Sequence, residues 1–231
     1  MNYTYTNTTA SQEDYRTRRS RDNKDEKIVG QFLDTYFYPT FTTTVTRNTD
    51  KETQIQGLDV TVTNPQGYSY TIDEKAATRW AGRNLQTFAH EISSVNVSGN
   101  TYDGWLLDFH SASDYLVEVW IDGVSTTDGR IYKYDDITDA TVVLIKKTDL
   151  YHYLKSKNIS SSKLKDIGEY LRNYGQYSYM YNGFKITCQQ NCQERAANIL
   201  LSRDTLINSI SIYAVQIKDF KAITLSKQAN I

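Results

Sequence analysis

Two acids and a lysine with the spacing of a cation-assisted hydrolytic site lie near the segment "YTIDEKAA" at residues 70–77. Asp73 and Lys75 are two residues apart, so on a β-strand they share one face, about 7 Å from each other. Glu74 lies between them and points to the opposite face. Asp59 supplies a second acid 14 residues upstream of Asp73 (73 minus 59).

Asp59 becomes a neighbour of Asp73 if the chain folds back between them. The sequence "NPQG" at 64–67 predicts a turn with its midpoint near residue 66, which places the two acids directly opposite each other. Facing carboxylates destabilise a sheet unless a positive charge compensates them, and Mg²⁺ is the usual compensation. Beside such an ion, Lys75 can orient or deprotonate a water, or stabilise charge that develops on a phosphate.

A simple ion pair is the competing interpretation of these residues. Asp59 and Lys75 can form a cross-strand pair with Asp73 solvated, and a surface pair of this kind contributes about 0–1 kcal/mol. Asp-Glu-Lys also occurs at 25–27, and Asp-x-Lys at 219–221, so the pattern alone is close to chance. The second acid opposite Asp73 is what distinguishes the hairpin from the other two occurrences.

The elements that must position these side chains can be predicted from apolar periodicity. "KDEKIVGQFLDTYFYPTF" has the spacing of an amphipathic helix of about four turns. Alternation in "TQIQGLDVTVTN" predicts a strand with one buried face, and "YSYTIDEKAA" is the returning strand. "ATRWAGRNLQ" is interpreted as a helix or long turn, and "TFAHEISSVNV" as a third strand.

The remainder of the chain continues the mixture of strands and helices. Further strands are predicted in "GWLLDF", "DYLVEVWID" and "ATVVLIKK", helices in "TDLYHYLKSKN" and "SSSKLKDIGEYLRNY", and two strand-like pieces around a short helix close the chain. Residues 1–22 are expected to be a poorly ordered or helical lead-in, and residues 23–231 a single domain. The predicted class is α/β, with α+β as the alternative.

This order of motifs resembles the PD-(D/E)xK nuclease superfamily. An acidic N-terminal helix is followed by "GLD" on one strand, by "IDEK" on the next strand and then by a predicted helix. The resemblance covers residues 24–120. Leu58 stands where the superfamily pattern has proline before the first acid, a position that varies among its members.

The resemblance implies a restriction-endonuclease-like core, a central mixed β-sheet flanked by helices. It implies that Asp59 and Asp73 bind Mg²⁺, with Mn²⁺ as an alternative ion, and that Lys75 assists the attack of water on a phosphodiester. An acid on the first helix often joins such a site. Glu26 is the best candidate for it, ahead of Asp25 and Asp34.

Three further residues are auxiliary candidates. Gln54 and Gln56 precede the first acid in "QIQGLD". Glu91 lies on the strand after the predicted crossover helix, where it either reaches the metal or the attacking water or is a plain surface residue.

The function expected from these observations is a Mg²⁺-dependent endonuclease that cleaves nucleic acid, with DNA as the expected substrate. Two alternatives remain. The chain can be a catalytically inactive nuclease-fold protein that acts as a nucleic-acid-binding or regulatory module, or a small structural or phage-associated α+β protein without catalysis. Retention of Asp59, Asp73 and Lys75 together favours the enzyme.

Composition limits the partners. The formal net charge of -1 argues against binding of polyanions by bulk charge but permits a local basic groove. No apolar run approaches the roughly 20 residues of a membrane span, and the sequence starts without a secretory signal pattern. With only two cysteines, a cytoplasmic location is expected. The oligomeric state is left open, with a homodimer as one option.

Overall fold

The computed structural model describes residues 15–48, 50, 57–96, 98–108 and 112–228. The described helices are α1 (Tyr15–Tyr36), α2 (Lys147–Ser156), α3 (Ser161–Asn173) and a short segment, Arg203–Thr205, that continues as one π-helical turn, Leu206–Ile210. The strands are β1 (Thr44–Arg47), β2 (Val60–Thr63), β3 (Ser69–Ala76), β4 (Thr87–Val95), β5 (Thr101–Asp103), β6 (Tyr115–Val124), β7 (Ile137–Lys146), β8 (Ser178–Tyr181), β9 (Phe184–Cys188), β10 (Ala197–Ser202), β11 (Tyr213–Lys218) and β12 (Lys221–Lys227).

These strands form two sheets. The larger has the order β1-β2-β3-β6-β7-β11-β12, and the smaller has the order β5-β4-β10-β9-β8. In the large sheet β3 and β6 run parallel, while the other described neighbours are antiparallel. The protein is therefore of the mixed α/β class with a central mixed sheet, as predicted.

Helix α1 covers one face of the large sheet. Its apolar residues recur every three or four positions, which places them on one side of the helix. They pack with the inward residues of the strands to form the first core, which includes Ile28, Val29, Phe32, Leu33, Phe37, Val60, Val62, Ile72, Val117, Val119 and Val142. Since helix α1 packs on this face, side chains on the opposite face of β3 belong to a different environment.

The opposite face of the large sheet forms a second core with the small sheet and with helices α2 and α3. Its members include Leu116, Trp120 and Ile145 from the large sheet, Phe88, Ile92, Ile186 and Ile199 from the small sheet, and Leu150, Leu154, Leu164 and Leu171 from the helices. Trp120 Nε1 also donates a hydrogen bond to the Thr87 carbonyl, 3.1 Å away, which joins the two sheets. The second core therefore lies under the face that carries Asp73 and Lys75.

The β2–β3 hairpin has the predicted register. Val60 pairs with Ile72, so Asp59 and Asp73 are the next residues at the open end of the hairpin. At the other end, Asn64 Oδ1 accepts hydrogen bonds from two backbone N–H groups of the turn, and Gly67 has a φ of +85°. A positive φ is readily adopted by glycine, which explains the tight return of the chain.

Of the two alternatives predicted for the segment after β3, a helix or a long turn, the structure has the long turn. It contains one 3₁₀ turn, Thr78–Trp80, and then runs along β6, with the Ala77 and Gly82 N–H groups donating to carbonyls of that strand. Gly82 and Asn84 have positive φ values of 72° and 47°, which a right-handed helix excludes. The chain reaches the parallel strand β6 through β4 and β5 of the small sheet, so the crossover consists of strands.

Other local predictions differ from the structure in smaller ways. In "GWLLDF" residues 105–107 form a turn rather than a strand, because Leu106 and Leu107 are both buried and do not alternate. Strands β5, β8 and β12 were not predicted. The expected lead-in belongs to α1 from Tyr15 onward, and residues 1–14 lie outside the described part of the chain. In the described part, no helix has the length and hydropathy to cross a bilayer.

Candidate functional site

The residues predicted to carry the chemistry meet at the open end of the β2–β3 hairpin. Asp73 and Lys75 share a face of β3, and Lys75 Nζ lies 2.5 Å from Asp73 Oδ1. Asp59 directly precedes β2, and its Oδ2 accepts a 2.8 Å hydrogen bond from the backbone N–H of Glu74. Asp73 is 2% exposed, whereas the side chain of Lys75 is 29% exposed. A buried acid therefore stands beside a lysine whose side chain is only partly exposed.

Asp59 is placed where its charged form is unfavourable. Burial raises the pKa of its carboxyl to about 7, and the neighbouring charge of Asp73 adds to that rise while Lys75 opposes it. The hydrogen bond from the Glu74 N–H also favours the carboxylate but does not offset the burial. A cation bound beside Asp73 would favour the charged form of Asp59 and so relieve this unfavourable placement.

Lys75 is surrounded by acidic side chains. Burial opposes its charged form, but the carboxylates of Asp73, Asp59 and Glu26 raise its pKa overall. Burial raises the pKa of the Glu91 carboxyl, and the positive charge of Lys75 partly opposes this rise. The structure thus brings the five predicted residues that it describes into one electrostatic group, and Lys75 carries a positive charge at neutral pH.

The acids have free ligand atoms, but they do not form a complete cage. Within the described residues, Asp59 bonds through Oδ2 and Asp73 through Oδ1, and the other oxygen of each side chain makes no hydrogen bond. Across the same residues no group of three or more His, Cys, Asp or Glu side chains has the arrangement of a metal site. The donor set that fits a hard cation is therefore the pair Asp59 and Asp73, with water completing the coordination, as Mg²⁺ accepts.

Glu74 belongs to a separate polar cluster on the α1 face of β3. Its carboxylate accepts from Tyr38 Oη at 2.6 Å and from Arg47 Nη1 at 2.9 Å. Arg47 also donates to Asp34 through Nε at 2.7 Å and to the Gly30 carbonyl through Nη2 at 2.6 Å. The prediction that Glu74 points to the face opposite Asp73 and Lys75 is confirmed.

Trp105 lies over the ammonium of Lys75. Lys75 Nζ is 5.8 Å from the centroid of the indole ring, within the range of a cation–π interaction. The loop that carries the indole follows Gly104, where a Cβ would lie 2.4 Å from the Glu91 carbonyl oxygen. Only glycine permits this close approach, and the Leu106 N–H donates to the same carbonyl at 3.0 Å. The small sheet therefore supplies one wall of the site.

A buried histidine–glutamate pair lies beneath Lys75. Glu118 is the partner of Lys75 in the parallel pairing of β3 with β6, and its Oε1 is 2.7 Å from His90 Nε2 on β4. Both side chains are fully buried. Although the two atoms are close, their geometry is not that of a hydrogen bond, and neither side chain has another hydrogen-bond partner among the described residues. The His90 ring is 5.2 Å from that of Trp105. The pair links the two sheets under the site, and sequence reasoning missed it, although a glutamate in the otherwise apolar "YLVEVW" was a visible signal.

Sequence reasoning also missed Lys147, the first residue of α2. It is 8% exposed, and burial lowers its pKa, with Asp73 and Lys75 among the charges that act on it. Its Nζ donates to Ser113 Oγ at 2.6 Å. Lys147 follows another lysine at the start of a helix, and nothing in the sequence around it indicated that its side chain would be buried near the site.

The remaining predicted residues are placed as follows. Of the three acids considered on α1, Glu26 acts on Lys75, Asp34 pairs with Arg47, and Asp25 lies among the charges of Arg21, Asp22, Lys24 and Arg79. Gln54 and Gln56 lie outside the described residues. The preference for Glu26 over the other two acids therefore agrees with its position.

No protein-family model, curated protein or solved structure matches the chain. The fold and the site define the chain as a mixed α/β protein that carries an acid–lysine cluster at the open end of a β-hairpin.

Proposed function

We propose that the chain is a Mg²⁺-dependent nuclease with a restriction-endonuclease-like core, which hydrolyses phosphodiester bonds of nucleic acid, with DNA as the expected substrate. The observation that carries the proposal is the convergence of Asp59, Asp73 and Lys75 at one end of a hairpin. Two of the predicted accessory acids, Glu26 and Glu91, lie within electrostatic range of the same ammonium. A surface ion pair would not require a second acid whose pKa is raised to about 7 beside it.

Asp59 and Asp73 are the residues that would hold the cation. Each retains one oxygen without a hydrogen bond within the described residues, and carboxylates with water are the ligands that Mg²⁺ prefers. When bound, a divalent cation supplies Lewis-acid stabilisation of the phosphate and a more acidic water. Mn²⁺ is the alternative ion.

Lys75 is suited to stabilise negative charge on the phosphate. It is cationic at neutral pH, because the surrounding carboxylates outweigh the effect of its burial. The Trp105 ring and the Asp73 carboxylate fix the ammonium in place, and a charge held in advance in a partly dry site stabilises a transition state more than a mobile one does. The protonated form cannot accept a proton from water, so its role in this state is electrostatic.

A catalytically inactive binding module is the alternative, and one contact favours it. Lys75 Nζ already neutralises Asp73 at 2.5 Å, and within the described residues no third acidic ligand completes a metal site. A nuclease scaffold with such a self-compensated pair would bind nucleic acid without cleaving it.

Cleavage assays on the whole chain distinguish these functions. Single-stranded and double-stranded DNA and RNA are incubated with Mg²⁺, Mn²⁺ or EDTA, using wild type, Asp73→Ala and Lys75→Ala. The matched controls are Asp103→Ala and Lys165→Ala, which alter an ion pair of the same types whose side chains are both 43% exposed. The nuclease proposal predicts cation-dependent cleavage that both site variants lose by at least about 100-fold and both controls retain.

The other outcomes are equally informative. Cleavage that persists in both site variants would remove the site assignment. Binding of nucleic acid without cleavage in any condition would favour the inactive module. A wild-type chain that neither binds nor cleaves these substrates would refute both functions.

A further inference from the structure

The pair formed by His90 and Glu118 lies between the two sheets, on the same side of β3 as Lys75. Glu118 is the parallel partner of Lys75, and its neighbours on that face of β6, Leu116 and Trp120, belong to the second core. Glu118 Oε1 is 2.7 Å from His90 Nε2, and both side chains are 0% exposed. The pair is therefore too deeply buried to touch a substrate, so it can serve the reaction only through residues that it supports.

The pair is unfavourable for the stability of the fold. Its side-chain nitrogen and oxygen atoms make no hydrogen bond in the part of the chain that the structure describes. Buried polar groups in this state destabilise a protein, and apolar residues of similar volume in their place are often neutral or stabilising. The surrounding core, which includes Phe88, Ile92 and Trp120, is apolar. Packing alone therefore does not account for a histidine and a glutamate at these two positions.

His90 reaches the candidate site through Trp105. The imidazole and indole centroids are 5.2 Å apart with their planes inclined by 43°, and the same indole lies 5.8 Å from Lys75 Nζ. The backbone below the indole is held to β4, because the Gly104 N–H donates to the Ile92 carbonyl at 2.8 Å. The tilt of the indole then depends on the ring against which it packs. A change in the orientation of the imidazole is thus passed to the contact between the indole and the ammonium.

We propose that His90 and Glu118 are positioning residues of the candidate site. The Glu118 carboxylate sets the orientation of the imidazole, and the imidazole holds the Trp105 indole over the ammonium of Lys75. The inference rests on the proposed function. A polar contact is directional and apolar packing is not, so a phenyl ring at position 90 would fill the space without fixing its own plane. An ammonium held in advance stabilises a transition state more than a mobile one does, so the pair acts on kcat and not on substrate binding.

The test separates stability from catalysis. In the double variant His90→Phe/Glu118→Met, apolar side chains of similar size replace the pair. The whole chain is measured for denaturant unfolding, and for kcat and KM with Mg²⁺ on a labelled nucleic acid that wild type cleaves. The matched control is Arg172→Met/Ser93→Ala, which removes another buried polar contact of β4, in which Arg172 Nη2 donates to Ser93 Oγ at 3.0 Å and joins the strand to α3.

The proposal predicts that stability and activity change independently. The double variant should be at least as stable as wild type, while kcat falls by about tenfold and KM stays within about twofold. The control should retain kcat, whatever its stability. A pair with a purely structural role would leave kcat unchanged in every variant that folds.

Fluorine NMR of the protein labelled with 5-fluorotryptophan follows the indole without any cleavage assay. The chain has three tryptophans, and Trp105→Phe assigns the resonance of Trp105. This resonance should shift in Lys75→Met, which removes the ammonium, and should shift or broaden in the double variant of the pair. It should be unchanged in the control variant, and the resonance of Trp80, which is 49% exposed, should be unchanged throughout.

Each result supports or overturns the proposal. Wild-type kcat in a folded double variant, or an unaltered Trp105 resonance in it, would refute the positioning role. If thermal melting shows that the double variant does not fold, His90→Gln decides, because its amide N–H can still face Glu118 while the ring is absent. The proposal then expects the same fall in kcat with KM retained, whereas a structural pair expects wild-type kcat.

Failure of the inference and failure of the proposed function give different results. If wild type cleaves nucleic acid and Asp73→Ala does not, but the variants of the pair match wild type, only this inference fails. If wild type cleaves none of the substrates, the proposed function fails and the positioning role fails with it.

Discussion

The two faces of β3 carry polar clusters made of the same kinds of residue, but these clusters differ in how far their charges and hydrogen bonds are matched. On the α1 face, Glu74 is joined to Arg47 and Tyr38, and Arg47 reaches Asp34, so charges and hydrogen bonds are matched. On the other face, Asp59 and Asp73 lie beside Lys75, and each acid keeps an oxygen without a hydrogen bond within the described residues. The first cluster is satisfied by its own residues, whereas the second leaves one oxygen of each acid for solvent or a ligand.

The pKa changes express this difference. Burial raises the pKa of Tyr38 well above its usual value, and Glu74 reinforces the rise, so the phenol stays protonated and donates its hydrogen bond. The carboxyl of Asp59 is instead raised to about 7, close to the pH at which the protein would work. A group that titrates near neutral pH beside another acid is typical of functional sites more than of structural ones. Because successive side chains of β3 point to opposite faces, the cluster that stabilises the fold and the candidate site lie on opposite sides of the same strand.

The largest expected contrast is a gain of stability from Asp59→Asn. The folded chain holds a proton at Asp59 up to a pKa of about 7, whereas the unfolded chain releases it near 3.8. Wild type therefore loses stability as pH rises from about 4 to 7, and the full cost, on the order of 3–4 kcal/mol, applies above pH 7. Asparagine keeps an oxygen for the Glu74 N–H and removes the charge. Denaturant unfolding without divalent cations should show the gain at pH 8 and none near pH 4.

The control for this comparison is Asp103→Asn, which changes an exposed acid that pairs with Lys165. Its effect on the free energy of unfolding should be small at both pH values. If Asp59→Asn destabilises the protein at pH 8, the acid is a structural member of the fold, and the contrast between the faces of β3 is lost.

A loss of stability is expected from Arg47→Met on the opposite face. The change leaves Glu74, whose side chain is 12% exposed, and Asp34, 36% exposed, without their cation. Breaking a fully buried pair costs about 3–5 kcal/mol, so roughly 2–3 kcal/mol is expected for this partly exposed one. The measurement is denaturant unfolding beside Lys165→Met, which breaks an exposed pair. Equal stabilities of the two variants would contradict the structural role of Arg47.

The hairpin was predictable because its determinants are local. Alternation fixes which residues face the core, the "NPQG" turn fixes the register, and the two together place Asp59 and Asp73 at the same end. Helical periodicity likewise separates Glu26 from its neighbours along α1. These features depend on stretches of fewer than about 20 residues, in which side-chain spacing is the dominant signal.

The partners from distant parts of the chain were not predictable in the same way. Lys147, Glu118 and His90 reach the site only because β3 pairs in parallel with β6 and because β4 packs over it from the second sheet. Nothing local to these residues specifies those pairings. Of the helix or long turn expected after β3, the helix does not form, because the positive φ values of Gly82 and Asn84 are incompatible with it. The acidic residues of the candidate site could therefore be predicted from the sequence, whereas the residues from distant strands that surround them could not.

Divalent cations should sharpen the contrast by stabilising one cluster alone. At a Mg²⁺ concentration ten times its Kd, the folded state gains about 1.4 kcal/mol, which is measurable as a rise in melting temperature. The gain should be larger at pH 8 than at pH 6, because protons compete for the Asp59 carboxyl, whose pKa is about 7. Asp59→Asn and Asp73→Asn should abolish it, whereas Asp103→Asn should retain it. A rise that persists in both site variants would place the cation elsewhere.

The smallest effect is expected from Glu26→Gln. Its carboxylate raises the pKa of Lys75 less than Asp73 and Asp59 do, and its side chain is exposed, so solvent screens the interaction. Cleavage should fall by less than about fivefold at low salt, and the difference should disappear as NaCl increases. Asp25→Gln is the matched control, since Asp25 lies among other charges of the same helix. A loss as large as that of Asp73→Ala would instead make Glu26 a ligand of the cation, and α1 would then contribute to both the fold and the chemistry.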